Sequence, residues 1–418
     1  MTKMTRRHFG QLLGGAAVTT LAMPSIARGA QPKVVVIGGG AGGATAARYI
    51  AKGAIDVTLI EPSKTYYTCF FSNLYLGGFR DYASIGHSYV KLANEGIGVV
   101  HEWADTIDRD KKQVVLGSGA KIRYDRLVVS PGIDIKYDSV AGYSPEAASK
   151  MPHAWKSGTQ VALLKAQVEA MREGGTFVMV APPNPYRCPP GPYERISMIA
   201  HMLKQKNPTA KIVILDPKEK FSKQALFQEG WERHYAGMVE WVPGSIAGDI
   251  EVDAANMVIS ADGEKTKADA ATVIPAQTAG RIAHKAGLTN DKGWCPIVPG
   301  TMQSTMDPNI HVIGDASVAS AMPKSGFSAN SQAKVTAMVI RGELTGAKMF
   351  PARFANTCWS LIGTNDGVKV GAAYKAGAEK IEVTSKFISK TGEDADLRKT
   401  TYEESIGWYS GITNDMFG

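Results

Sequence analysis

The chain carries four cysteines in 418 residues: Cys69, Cys188, Cys295 and Cys358. That is too few for a disulfide scaffold, so each sulfur needs its own explanation. A thiolate can act as a nucleophile, a metal ligand or half of a redox disulfide. The spacing argues against metal binding and against haem attachment. No cysteine begins C-x-x-C-H, so no c-type haem is attached to this chain, and no Cys/His spacing fits a zinc site. Cys188 lies in Ala181-Pro-Pro-Asn-Pro-Tyr-Arg-Cys188-Pro-Pro-Gly-Pro-Tyr-Glu194, where prolines hold its sulfur in one place. Glu194 is suited either to relay a proton in sulfur chemistry or to pair with Arg195 at the surface. Cys69, in Tyr66-Tyr67-Thr68-Cys69-Phe70-Phe71, reads first as a buried thiol among aromatics, with half of a disulfide or a functional sulfur as the other readings. Cys358, in Asn356-Thr357-Cys358-Trp359, belongs to the C-terminal segment. Cys295, in Gly293-Trp294-Cys295-Pro296, reads as a surface connection with no role beyond packing.

The elements that must position these sulfurs begin at Lys33-Val-Val-Val-Ile37, a short β-branched run that reads as a buried parallel strand. It enters Gly38-Gly39-Gly40-Ala41-Gly42-Gly43, then a helical stretch Ala44–Ala51 and a second strand Val57–Ile60 ending at Glu61. Gly38, Gly40 and Gly43 fit G-x-G-x-x-G: a tight turn, close approach of a pyrophosphate, and close helix–strand packing. The helix N-terminus offers free N–H groups to phosphates, and Glu61 is spaced to hold a ribose hydroxyl pair. Downstream, Asn309-Ile-His-Val-Ile-Gly314-Asp315 resembles the second flavin motif of glutathione-reductase-like flavoproteins, whose aspartate holds the ribityl chain. Val128-Val129-Ser130-Pro131-Gly132 resembles the turn at which the chain of that family leaves the FAD domain. Together these elements favour FAD over NAD.

A second unit follows the same plan. Gly175–Val180 and Lys211–Leu215, the latter followed by Asp216, read as strands of another β-α-β unit. Its glycine turn is replaced by the proline-filled loop of Cys188. Proline has no N–H and fixes φ, so this loop offers no row of donors to a pyrophosphate. The scaffold is kept and the nicotinamide site is given up.

Composition places the chain among ordinary globular proteins, at 44% hydrophobic and 21% charged residues, and its length suits two to three domains. The net charge of +8 is concentrated at the start: residues 1–30 hold Lys3, Arg6, Arg7 and Arg28 and no acid. No Lys/Arg run survives elsewhere, so nucleic acid is a poor partner. Thr5-Arg6-Arg7-His8-Phe9, the apolar stretch Leu12–Val18 and the small residues Ser25–Ala27 read as a signal peptide resembling the twin-arginine type, with an ordinary secretory signal as the alternative. The expectation is a periplasmic protein. No later segment offers about 20 apolar residues in a row, and the tail lacks the long amphipathic helix of a monotopic enzyme, so stable membrane insertion is not expected.

Taken together, the glycine-rich flavin fold, Tyr-Tyr-Thr-Cys69, the Cys188-Pro-Pro-Gly-Pro-Tyr-Glu194 loop and Asn-Thr-Cys358-Trp resemble the family of flavoprotein subunits of flavocytochrome c sulfide dehydrogenase. The resemblance implies that Cys69 forms a thioether to FAD, that Cys188 and Cys358 form a redox disulfide over the flavin, and that Glu194 stands nearby as acid or base. It implies sulfide as substrate and a separate c-type cytochrome subunit, in a heterodimer, as electron acceptor. Two related readings compete: a sulfide:quinone oxidoreductase, and a non-catalytic flavin-bearing accessory protein of a sulfur-oxidising complex. The implied fold is α/β, with two Rossmann-like units of the FAD/NAD(P) type, the second without a working nucleotide site, and a C-terminal α+β interface domain. The segments are 1–30 (signal), 31–150 with 280–345 (FAD), 151–279 (vestigial NAD-type) and 346–418 (interface).

Overall fold

A computed structural model describes residues 31–418, so the export signal read at 1–30 lies outside the described residues. The run Lys33–Ile37 forms the strand its β-branched residues demand, with Val34, Val35 and Val36 at most 1% exposed. It pairs in parallel with Asp56–Ile60 on one side and Arg126–Val129 on the other. The full sheet has six strands in the order Gln303–Ser304, Asp307–Val312, Arg126–Val129, Lys33–Ile37, Asp56–Ile60, Gly98–Val100. All neighbours are parallel except the first pair. Asp307–Val312 comes from far downstream, so the sheet is built from two separated stretches of chain.

The chain leaves this sheet at Gly132 (φ +66°) and returns near Gly280, whose N–H donates to Gly132 O (3.0 Å). The outgoing strand Ile133–Ile135 and the returning strand Gln277–Ala279 pair antiparallel, so both crossings share one ladder. Between them stands an all-parallel sheet ordered Val239–Val242, Lys211–Leu215, Thr176–Val180, Ala270–Val273. Beyond the helix Gly326–Thr345, three antiparallel strands follow, Arg353–Gly363, Asp366–Ala376 and Ile381–Ile388. Residues Pro32–Gly418 form one compact unit.

Two expectations need correction. The tail is a helix of 23 residues, Ala395–Phe417, whose buried stripe runs Arg398, Thr401, Ser405, Tyr409, Ile412 and Met416. Half of that stripe is polar, which hides its 3.6-residue period from a hydrophobicity reading. Arg398 is 1% exposed and meets Asp366 (3.0 Å), Glu393 (3.1 Å) and Glu229 (3.3 Å), so ion pairs dock the start of this helix. Cys295 is no surface connection: it lies fully buried in the short strand Cys295–Pro296, parallel to Ser317–Val318. Among the described residues no helix is long and apolar enough to cross a membrane.

Candidate functional site

The proline loop ends in a strained sulfur. Cys188 adopts φ +57°, a left-handed conformation that costs a non-glycine residue about 1–3 kcal/mol. Its neighbours hold it there: Cys188 N–H donates to Lys324 O (2.7 Å), Gly191 N–H to Cys188 O (2.8 Å) and Arg187 N–H to Gln277 Oε1 (2.9 Å). Gly191 is glycine of necessity, because a Cβ there would stand 2.8 Å from Cys188 Sγ and 2.9 Å from the Trp155 ring. The helix Gly191–Lys206 starts at this contact, with proline in its first turn.

Glu194 is therefore in a helix, one turn in, and not in the loop. Nor does it pair with Arg195. Successive helical residues point about 100° apart, and Arg195 turns into the body to donate to His153 O (2.8 Å), Ala154 O (2.6 Å) and Thr272 Oγ1 (3.1 Å). Glu194 points to the sulfurs. Its Oε2 accepts from Asn73 Nδ2 (2.8 Å) and its Oε1 from Leu361 N–H (3.0 Å). Burial raises its pKa above the usual carboxylate range against the lowering effect of both hydrogen bonds.

Cys358 stands on the strand Arg353–Gly363, opposite Val370. Asn356 Nδ2 donates to its Sγ (3.4 Å), while Asn356 Oδ1 accepts from Ser325 Oγ (2.5 Å), the N-cap of the helix Gly326–Thr345. Behind the strand lies Lys223, 5% exposed, its ammonium donating to Ser360 Oγ (2.8 Å) and Cys358 O (3.1 Å). Burial pushes the thiols of Cys188, Cys358 and Cys69 up; Lys223 opposes this at Cys358, as Arg187 does at Cys69. All four cysteines are free thiols in this structure.

The side chains of Cys69, Cys188, Cys358 and Glu194 line one cavity of about 860 Å³, with Trp359 and Trp408 among its walls. It adjoins a second cleft, of about 810 Å³, lined by Gly38–Gly42, Glu61, Ser130–Gly132 and Asp315. Cys69, Phe70, Arg187 and Gly326 border both. The site residues read from the sequence thus line two adjoining hollows, except Gly43, which packs behind the turn against Gly38. Gly38 has φ +95°, and a Cβ on it would strike Ser130 O at 2.2 Å; one on Gly43 would strike Gly38 O at 1.8 Å. The turn can be made only by glycines.

This cleft fits FAD. Glu61 Oε2 stands over the turn, accepting from Gly39 N–H (2.9 Å), where a ribose can reach it. Asp315 Oδ1 is buried with no hydrogen-bond partner, an orphan acceptor at the position expected to hold ribityl hydroxyls. Residues the sequence did not flag are Asn73, Arg187 and Lys223. Asn73, from the helix Ser72–Leu76, and Lys223 reach the site across the fold and nothing local marks them, whereas Arg187 stands next to Cys188 in the proline loop.

In the second sheet the ribose position is filled from within. Asp216, fully buried, accepts from Tyr193 Oη (2.5 Å), Trp241 Nε1 (3.1 Å) and Lys218 N–H (3.0 Å), and pairs with Lys218 Nζ (2.6 Å). The Tyr193 ring stacks on Phe221 at 3.7 Å. The carboxylate that would hold an NAD ribose is saturated from within.

Comparison with known proteins agrees with this geometry. Residues 32–171 match the pyridine nucleotide-disulphide oxidoreductase family. Residues 161–275 match the central region of the sulfide dehydrogenase [flavocytochrome c] flavoprotein chain, and residues 351–417 the flavin-binding family of flavocytochrome c sulphide dehydrogenase. The sulfide dehydrogenase flavoprotein chain of Chlorobaculum thiosulfatiphilum is 54% identical over 43 residues, which cover 10% of this chain and 90% of that sequence. The chain belongs to the flavocytochrome c sulfide dehydrogenase flavoprotein family. Membership makes it a flavin oxidoreductase of a sulfide-oxidising family and makes FAD the dinucleotide of the first cleft. A mitochondrial sulfide:quinone oxidoreductase of Dictyostelium discoideum is 21% identical over 301 residues, and the match spans 68% of this chain and 65% of that protein. The fold is shared with the Aquifex aeolicus sulfide:quinone oxidoreductase (TM-score 0.69, 18% identity, 92% of each chain). It is shared too with a Rhodopseudomonas palustris ferredoxin reductase (TM-score 0.64, 20% identity, 87% of this chain and 89% of that one).

Proposed function

We propose that this chain oxidises hydrosulfide through a Cys188–Cys358 disulfide and FAD tethered at Cys69, passing electrons singly to a separate c-type cytochrome subunit in the periplasm. The observation that carries the reading is the single cavity holding both sulfurs and Glu194, bordered by Cys69 where it meets the dinucleotide cleft. The export reading rests on the arginine pair and apolar stretch of residues 1–30.

Hydrosulfide is a small nucleophile. It adds to one sulfur of the disulfide, the S–S bond breaks, and the bonding pair leaves on the other sulfur as a thiolate. The first sulfur becomes a persulfide, and the proton of hydrosulfide passes to Glu194. Leu361 N–H and Asn73 Nδ2 each occupy one lone pair of Glu194, which fixes the carboxylate and leaves the remaining lone pairs for that proton. Asn73 cannot flip freely, because its Nδ2 also donates to Gly191 O (3.1 Å). The backbone hydrogen bonds that hold Cys188 at φ +57° keep its sulfur at a fixed place in the cavity wall. Arg187, at the border of both hollows, stabilises negative charge where they meet. FAD when bound supplies a carrier that accepts an electron pair and releases electrons one at a time, which suits a haem acceptor.

Anaerobic sulfide should bleach the flavin within the turnover time, while NADH leaves it yellow. The electrons should then reduce a c-type cytochrome faster than a short-chain quinone. Bleaching by NADH, or quinone as the faster acceptor with liposomes present, would overturn the reading, as would flavin that sulfide cannot bleach.

Glu194→Gln tests the proton step. The pKa of Glu194 is raised, so the wild-type rate should climb as pH rises through that value and the base form accumulates. The glutamine variant should lose this acidic limb and react on the order of 100-fold more slowly at the plateau. An unchanged pH–rate profile in stopped-flow flavin reduction would remove Glu194 from the mechanism.

A further inference from the structure

One charged group beside the sulfurs remains unexplained by the reading above. Lys223 precedes the helix Gln224–Tyr235 in a left-handed conformation (φ +63°), a strained position for a lysine. Its ammonium is buried and donates to Ser360 Oγ (2.8 Å), Cys358 O (3.1 Å) and Val368 O (3.4 Å). All three acceptors are neutral, and no carboxylate pairs with it among the described residues. A buried cation without a paired anion is expensive, and its persistence points to negative charge arriving nearby. The anionic groups that face it are the sulfurs of Cys358 and Cys188 and the carboxyl of Glu194.

We propose that Lys223 is a positioning residue for the sulfur chemistry: its ammonium, held by three neutral oxygens against the strand of Cys358, supplies the fixed positive charge that stabilises an anionic sulfur at that cysteine. This rests on the redox pair proposed above. The charge acts through space: Lys223 grips the backbone carbonyl of Cys358, so ammonium and sulfur keep one separation through turnover. The same charge serves a thiolate and a terminal persulfide anion, since both place the charge on sulfur attached to the same residue. Cys358 is faced by Glu194 from the helix Gly191–Lys206, by Cys188 from the proline loop, by Tyr374 from the adjacent strand, and by the neutral Asn356 and Ser325. Lys223 is the one basic side chain in this set. Burial lowers its own pKa to about 8, so its charge is titrated close to the working range and its influence on Cys358 should fade above that pH.

The test measures the acidity of the Cys358 thiol and needs no turnover. In full-length, FAD-loaded Cys188→Ser protein, reduced and then alkylated with iodoacetamide across pH, the Cys358 peptide is followed by mass spectrometry. Lys223→Gln removes the charge and keeps two N–H donors for the three oxygens. It should move the alkylation midpoint up by roughly one pH unit, about a tenfold loss of thiolate at fixed pH. Lys223→Arg keeps the charge and stays protonated where lysine does not, so its midpoint should lie at or below that of the parent. Ser360→Ala removes one hydrogen bond and no charge, and should leave the midpoint in place. If Lys223→Gln does not fold, Lys223→Arg decides: a midpoint raised above the parent's overturns the proposal. Equal midpoints in the glutamine variant and the parent overturn it too, as does a Ser360→Ala shift as large as that of the glutamine variant. Failure of the redox-pair reading would be seen separately, as Cys188 and Cys358 recovered unpaired from oxidised wild-type protein.

Discussion

Replacing either Cys188 or Cys358 with serine is expected to cut the rate at which sulfide reduces the flavin to below about 1% of wild type, with FAD content unchanged. The size of the effect follows from chemistry and not from packing. A serine oxygen is close in size to sulfur but cannot form the bond that hydrosulfide must break, so the electrophile is removed outright. FAD content should be spared because neither residue lines the dinucleotide cleft, which is built from the glycine turn, Glu61 and Asp315. In the proposed mechanism the two sulfurs act as one unit, so the double variant should react no more slowly than either single variant. Stopped-flow bleaching with absorbance-based FAD counts checks all three statements together. Bleaching at the wild-type rate in either single variant would remove the disulfide from the mechanism. With both proteins reduced, Cys188→Ser should also unfold at a temperature close to wild type, because the hydrogen bonds that hold φ at +57° are made by backbone atoms that serine retains.

The sequence makes some parts of this site plain and leaves others unreadable, and the division has a physical cause. Lys33–Ile37, the glycines after it, and Glu61 form one continuous unit, so their local pattern is also their structure. The three cysteines that line the cavity stand out for their flanking residues. Lys223 and Asn73 do not, because each becomes functional only through contacts made across the fold: Lys223 meets Cys358 and Ser360, and Asn73 meets Glu194. Glu194 shows the opposite failure. Its neighbour Arg195 suggests an ion pair in sequence, but the helix turns the two side chains apart, one to the cavity and one to buried carbonyls. The terminal helix was hidden for a third reason. A buried face made of Arg398, Thr401 and Ser405 is stabilised by ion pairs and hydrogen bonds, which hydrophobic periodicity cannot register.

Acid-precipitated wild-type protein should remain yellow, and Cys69→Ser should release its colour into the supernatant. Among the described cysteines, Cys69 alone borders both the sulfur cavity and the dinucleotide cleft, so it is the sulfur placed to reach the flavin from the cleft side. Its backbone is pinned: Cys69 O accepts from Ser72 Oγ (2.6 Å) and Ser72 N–H (3.3 Å), and Phe71 beyond it takes φ +70°. The glycine turn and both carboxylates remain in Cys69→Ser, so the variant should still bind FAD, reversibly. That difference gives a second readout. A reversibly bound cofactor stabilises by an amount that grows with its free concentration, about 2.7 kcal/mol at a hundred times Kd, and nothing once it is diluted away. Tm of Cys69→Ser should therefore fall on exhaustive dialysis and recover when FAD is added back, while wild-type Tm holds constant through both steps. A tether of this kind matters most in a compartment that cannot resupply FAD, which links the proposed tether to the proposed export of this chain. A colourless wild-type pellet from flavin-loaded protein, or a wild-type Tm that tracks free FAD as the variant's does, would leave Cys69 as a lining residue and dissolve that link.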